Sequence, residues 1–230
     1  MLFLDNSYQK EFECKIVNIN NNQIILNQTI FYAKSGGQPG DTGTLSNNEN
    51  DINIIDTTYD VEKNIIHITD EDINFEINEK IKGKINWETR YKHMRMHSAL
   101  HLLCSIIPFD VTGGQIGNDK SRLDFNVQDS KIDKEEIEYR INEIVKEDHQ
   151  ISYQWITNDE LDQQPDLVRT MSVKPPKTTN KIRLVKIGNI DIQPCGGTHV
   201  KSTKEIGKIK IGKIENKGKM NRRVNLSIND

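Results

Sequence analysis

The stretch Gln193-Pro194-Cys195-Gly196-Gly197-Thr198-His199 constrains this chain more than any other. It joins a thiol to an imidazole four positions later, across two glycines that let the backbone curl so both can face one point. A second stretch answers it about a hundred residues upstream, His97-Ser98-Ala99-Leu100-His101. Three imidazoles and a thiolate are a complete ligand set for a tetrahedral zinc ion. A fold that satisfies both stretches must carry a late loop to a segment from the middle of the chain.

Each half of that set has a plainer reading. Histidines at i and i+4 on a helix arise by chance, and Cys-x3-His alone is equally weak. Together, with Gly-Gly inside the second, they point to a metal. A thiolate with imidazoles suits zinc better than a hard cation that wants oxygen. His93 and Cys104 share roughly the same helical face, and Cys104 competes as a ligand. Its apolar surroundings read instead as those of a small core residue. His93 reads as a surface or first-turn residue, and His67 and His149 as solvated. The helix lacks the His-Glu-x-x-His pattern of zinc proteases, and no nucleophile elbow is present. Four protein ligands binding at once would close the site, as in structural zinc; a catalytic ion needs an open position.

The chain has 230 residues, enough for one large or two modest domains. No apolar run approaches the roughly 20 residues of a membrane span. The first residues carry no basic region and too short an apolar segment for a signal peptide, so a cytoplasmic protein is expected. Cys14, Cys104 and Cys195 are too few and odd in number for a disulfide framework, which fits reduced thiols. Net charge is only -3, unlike a protein that coats nucleic acid. The charge is uneven, however: between Lys201 and Arg223 seven lysines and two arginines face only Glu205 and Glu215. Such a local patch can bind a polyanion.

Residues 11–19 and 23–27 read as a hairpin around Asn20-Asn21-Asn22. Four glycines and Pro39 crowd residues 36–43, which predicts tight, closely packed backbone. It is no phosphate loop, because no Gly-Lys-Ser/Thr follows. Short strands at 52–59, 64–69 and 80–87 complete the pattern of a small closed β-barrel over residues 1–88. Helical spacing then begins. Met96, Ala99, Leu100, Leu103 and Ile106 recur over 89–107, with Pro108 as the stop. Residues 111–117 read as a loop, 122–126 as a strand, and Asp133 as the N-cap of a helix striped by Ile137, Ile141, Ile144 and Val145. A strand at 151–156, a short helix at 158–161, a loop over 165–180, a hairpin over 182–193 and strands at 207–214 and 223–228 follow. Residues 89–230 thus form an α+β domain with an antiparallel sheet, and the whole chain is α+β.

These stretches resemble the alanyl-tRNA editing family, the free-standing relatives of the editing domain of alanyl-tRNA synthetase called AlaX. The carriers are Phe31-Tyr32 through Gly36-Gly37-Gln38-Pro39 with Asp41-x-Gly43, then Arg95-x-His97-x3-His101-Leu102-Leu103. Val111 to Gln115, Ser121 to Phe125, and Asp191 to Val200 follow in the family's order. Ala33-Lys34-Ser35 departs from the family's Pro-x-Gly after the aromatic pair. The resemblance implies a β-barrel followed by a zinc-binding editing domain. It implies hydrolysis, in trans, of the ester joining serine, and sometimes glycine, to alanine tRNA, with one zinc ion per chain on His97, His101, Cys195 and His199. The oligomeric state is left open, with a monomer favoured.

Discrimination is the harder chemical problem. Alanine is smaller than serine, so a size filter cannot spare the correct product. The pocket must reward the serine hydroxyl. By resemblance Thr29 is the candidate for that contact, against the reading of an ordinary strand residue. Gln115 is a second candidate, against a polar turn residue. Gln38 reads as structural, pinning the glycine-rich loop. The basic C-terminal stretch would contact tRNA phosphates, or else form a solvated hairpin. A competing function is a non-catalytic tRNA-binding module with a structural zinc.

Overall fold

A computed structural model describes residues 1–127, 132–168 and 181–229. The chain forms two compact units, Met1–His93 and Met94–Asp230. It is mixed α+β, with three antiparallel sheets. Among the described residues no helix is long and apolar enough to cross a membrane.

The first unit opens with a helical turn, α1 (Leu2–Asp5). Strands β1 (Glu11–Asn20), β2 (Gln23–Leu26), β3 (Gly43–Ser46), β4 (Asp51–Ile54), β5 (Asp56–Tyr59), β6 (Ile65–Ile68) and β7 (Lys80–Ile85) follow. Period-two alternation drives the pairing of β1 with β7. Phe12 points inward opposite Gly83 and Cys14 opposite Ile81, with Ile16 and Ile85 also turned inward, while the charged residues between them stay outside. Gly83 lies across from Phe12 and has no side chain where that ring sits. Their inner faces, with Ile24, Leu45, Ile54 and Phe31, make one hydrophobic core.

The strands lie in the order β4-β3-β7-β1-β2-β6-β5. This corrects the expected closed barrel: the described strands form no ladder between β4 and β5. The single strand expected over 52–59 is broken at Ile55, whose N–H bonds to the Ile68 carbonyl at 2.8 Å. Its first half pairs with β3 and its second half with β6. Ile54 and Asp56 flank one residue, so their Cα atoms are within about 7 Å. A sheet whose end strands adjoin in sequence has to curl until its ends meet. The backbone joins them, and hydrogen bonds do not.

The glycine-rich stretch is as tightly packed as expected. A Cβ on Gly40 would collide with the Thr57 carbonyl, and one on Gly43 with the Lys84 carbonyl. Between them Asp41 is buried against Arg90, which is 0% exposed. Arg90 Nε donates to both Asp41 oxygens at 3.0 Å. Its Nη1 reaches the Ser7 carbonyl at 3.0 Å and its Nη2 the Ile30 carbonyl at 2.7 Å. Asp41 also accepts from the Tyr32 amide at 2.6 Å. One guanidinium therefore ties four separate pieces of this unit.

Helix α2 (Trp87–Ile106) starts in the first unit and runs into the second. Two sheets make up the rest of the second unit. One has the order β10 (Ile151–Thr157), β11 (Lys181–Ile187), β12 (Asp191–Pro194). The other has the order β13 (Lys208–Asn216), β14 (Asn221–Asn229), β9 (Lys120–Asn126), β8 (Val111–Gln115). The segment expected as a loop over 111–117 is largely strand β8, because antiparallel pairing with β9 outweighs the weak strand preference of Gly113-Gly114. Helix α3 (Lys134–Lys146) begins where expected, with the Asp133 side chain accepting from the amides of Glu135 and Glu136. It packs on β13. Asn142 bonds both the N–H and the carbonyl of Ile209, and Glu138 accepts from the Ile211 amide. Helix α4 (Asn158–Asp162) has a Thr157–Glu160 capping box. Within the loop expected over 165–180, Pro165–Leu167 is a turn of 3-10 helix, and 169–180 lie outside the described residues.

Replacing Asp41 with alanine leaves the Arg90 cation buried without its counter-charge. Such losses cost about 3–5 kcal/mol. Urea unfolding of Asp41→Ala should show a drop of that order, and a drop below about 1 kcal/mol would contradict this account.

Candidate metal centre

His97 and His101 sit one turn apart on α2 and project from one face. The helix around them is buried nearly all round: Met94, Ala99, Leu102 and Leu103 are each 0% exposed. Cys195 and His199 follow β12. The Cys195 amide donates to the Arg183 carbonyl at 3.0 Å, which extends the β11–β12 pairing by one residue before the chain turns at Gly196-Gly197. The two stretches meet. The ligand atoms of His97, His101, Cys195 and His199 all lie within 4.8 Å of one another. Cys195 Sγ is 3.4 Å from the Nε2 atoms of His97 and His199. Tetrahedral zinc with the usual bond lengths sets its ligand atoms about 3.3–3.6 Å apart. The donor set and its spacing therefore fit a soft four-coordinate cation.

The outer nitrogens are also held. His101 Nδ1 lies 3.0 Å from Asp191 Oδ2, which also accepts from Gln193 Nε2 at 2.8 Å. A carboxylate there keeps the proton on Nδ1 and leaves Nε2 free to ligate. His199 Nδ1 lies 3.2 Å from Ser98 Oγ, which accepts the Val200 amide at 3.3 Å. Burial disfavours charge on every one of these groups. It pushes the Cys195 thiol up, but His97, His199 and hydrogen bonds from His101 and His199 hold the thiol well below its ordinary range. Burial and the neighbouring His97 hold His199 well below the usual imidazole value. For His101 burial is again the largest single effect, yet Asp191 and the Cys195 thiolate together outweigh it and raise the group to about 10.

His93 and Cys104, the rival ligands, are not part of this group. Cys104 is a buried residue, as expected. His93 is 3% exposed and His67 0% exposed, so neither is the surface or solvated residue its polar neighbours implied. Strand β6 turns His67 into the first unit, beside Phe31.

Thr29 belongs to the first unit and is 6% exposed. Its Oγ1 accepts from the Phe31 amide at 3.0 Å and lies 2.9 Å from His67 Nε2. His67 Nδ1 faces the Ile24 carbonyl at 3.1 Å, and a carbonyl can only accept. Nδ1 therefore carries the proton. Burial lowers His67 to about 4, so the ring is neutral at pH 7. Nε2 is then an acceptor, and the Thr29 hydroxyl must donate to it. With one lone pair and its proton committed, Thr29 retains capacity only to accept. Gln115 is exposed at the end of β8, where its Oε1 accepts from Arg122 Nε at 3.4 Å. Gln38 is 1% exposed, and its backbone pairs with Ser35 across the Gly36-Gly37 turn.

Sequence reasoning assigned no role to Asp191, Gln193, Ser98 or Arg183. Asp191 and Gln193 stand four and two positions before Cys195, and Ser98 lies between the helical histidines. That adjacency was the only available signal.

A metal-free His101 raised to about 10 keeps its proton throughout the neutral range, and a bound metal must displace it. Metal affinity should therefore rise about tenfold per pH unit from pH 6.5 to 8.5. Competition against a chelator would read this slope. Asp191→Asn should flatten it and weaken binding about 10- to 100-fold; an unchanged slope and affinity would remove Asp191 from the site.

Residues 182–225 match the family described as the threonyl and alanyl tRNA synthetase second additional domain, and residues 3–89 match class II (A) tRNA synthetases. The chain is similar to the alanyl-tRNA editing protein AlaX-M of Saccharolobus solfataricus, 38% identical over 228 residues, covering 97% of this chain and 96% of that one. The AlaX-M protein of Methanosarcina acetivorans is 36% identical over 243 residues, covering 100% and 98%. The alanine–tRNA ligase of Pyrococcus abyssi is 34% identical over 223 residues, covering 93% of this chain but 24% of the ligase. On its full-length match to these relatives, the chain belongs to the alanyl-tRNA editing protein family, of the AlaX-M kind.

Proposed function

We propose that this protein is a trans-editing aminoacyl-tRNA hydrolase that deacylates mischarged tRNA(Ala), chiefly seryl-tRNA(Ala) and also glycyl-tRNA(Ala). The observation that carries this reading is the convergence of His97, His101, Cys195 and His199 in a member of the alanyl-tRNA editing family. Residues 1–88 act as the β-domain, a barrel-like sheet with the glycine-rich loop. Residues 89–230 act as the editing domain.

Zinc is the ion the donor set favours, because thiolate and imidazole are its usual partners. When bound it supplies Lewis acidity and a fixed positive charge. The protein's own groups do the remaining work. Asp191 and Ser98 orient the ligating rings. The three ligating imidazoles are buried, which strengthens each polar contact they make. The ester of an aminoacyl-tRNA is already activated, so positioning a water with modest oxyanion stabilisation supplies much of the catalysis. Thr29 is assigned to the serine side chain. Its hydroxyl can only accept, and the serine hydroxyl is the donor that alanine lacks. Gln115 is assigned to a second polar contact with the substrate. Along β13 the side chains of Lys208 and Lys210 are exposed between buried Ile209 and Ile211, which suits contact with tRNA phosphates.

One observation favours the competing reading of a tRNA-binding module with a structural zinc. Four protein donors complete a tetrahedral shell, as in closed structural sites. Cys195→Ala separates the two. Deacylation lost with fold and tRNA binding intact supports the enzyme; a chain that unfolds supports the structural role.

The direct measurement is deacylation. Catalytic amounts of protein should release serine from seryl-tRNA(Ala) and leave alanyl-tRNA(Ala) largely intact, and equal loss of both, or of neither, would contradict the proposal. Thr29→Val should lower the preference for seryl over glycyl substrate about two- to tenfold, the worth of one neutral hydrogen bond.

A further inference from the structure

Arg183 is 4% exposed, and nothing in the ligand set requires it. It stands in β11 opposite Trp155 of β10. Its guanidinium lies over the ring of Tyr153, two residues along from Trp155, with Cζ 3.7 Å from the ring centroid. From there Nη1 donates to the Cys195 carbonyl at 3.1 Å and the Gly197 carbonyl at 2.8 Å. Its own carbonyl accepts the Cys195 amide at 3.0 Å. Arg183 therefore grips the Cys195–Gly197 turn three times, from both main chain and side chain.

The grip sets where the thiol points. With both carbonyls drawn to the guanidinium, the Gly197 amide is left facing Cys195 Sγ at 3.4 Å. The sulfur lies towards His97 and His199. Gly196-Gly197 could adopt many other backbone conformations, and two glycines carry a large entropy to lose. A loop that has to find its shape on binding a metal pays that entropy out of the affinity. A loop already held does not.

We propose that Arg183 is a positioning residue for the metal centre: by clamping the carbonyls of Cys195 and Gly197 it pre-sets the turn that presents the Cys195 thiol beside the three imidazoles. The proposal rests on the metal-binding reading of that cluster and is independent of which ester, if any, the protein hydrolyses. Within the turn the guanidinium bonds to the backbone carbonyls of Cys195 and Gly197.

The test is zinc affinity of the full chain, read by competition against a chromophoric chelator, with cobalt(II) absorption as a second readout of thiolate ligation. Arg183→Met keeps the length and loses the donors. It should weaken zinc binding about 10- to 100-fold, as other residues that orient ligands do, and should dim the cobalt–thiolate band. Arg183→Lys keeps the charge over Tyr153 but ends one atom short of the Nη1 that donates to both carbonyls, and should recover only part of the loss. The loss should also vanish when Arg183→Met is made on a Cys195→Ala background, because no thiol remains to be placed. Parent-like affinity and cobalt spectrum in Arg183→Met overturn the proposal, as does an equal loss with and without Cys195. If Arg183→Met does not fold, the same readouts on Arg183→Lys decide, and parent-like values there overturn it. A parent chain that binds no zinc overturns the metal-binding reading itself. A parent that binds zinc without deacylating tRNA leaves this proposal standing while removing the hydrolase.

Discussion

Three buried imidazoles and a half-buried thiol meet at one point, and the second unit is arranged to make that tolerable. Four polar groups taken out of water would be costly alone. Here each offsets the cost of the others. The thiolate favours the neighbouring cationic ring, the Asp191 carboxylate fixes one outer nitrogen, and Ser98 holds another. Each contact comes from an element with a separate reason to exist. Helix α2 is buried for its apolar residues, the β11–β12 hairpin pairs along its length, and the glycine turn follows where the ladder runs out.

The first unit solves a comparable problem without a metal. Arg90 and Asp41 form a charged pair in the interior, and the Ser7 and Ile30 carbonyls also accept from the guanidinium. The Ile24–His67–Thr29 chain is neutral and directional, each partner having one permissible role once the carbonyl has fixed the first. That directionality gives a buried hydroxyl a chemical preference. A threonine free to rotate its proton could greet a donor or an acceptor, and this one greets only a donor.

How much was legible in the sequence depended on how local the information was. Helix α3 was visible because its cap, Asp133, and its stripe of Ile137, Ile141 and Val145 all lie within four turns. The four candidate ligands were visible because two short motifs each carry half of a recognisable donor set. The closed barrel was not right, because whether sheet ends pair depends on the single residue Ile55, which looks like the middle of an ordinary strand. His67 was misjudged because its polar neighbours in sequence are not its neighbours in space. Arg183 and Arg90 passed unnoticed for a related reason. Several of their partners are backbone carbonyls, which no side-chain pattern reveals.

Helix α3 has one more effect on what this molecule can recognise. By covering the amides of Ile209 and Ile211 it removes the hydrogen-bonding rail that an extended peptide would need to join the sheet at β13. Beside those two capped rungs the exposed side chains are those of Lys208 and Lys210. That stretch of the edge is withheld from strand addition, so the packing of one short helix removes one class of partner there before any specific contact is made.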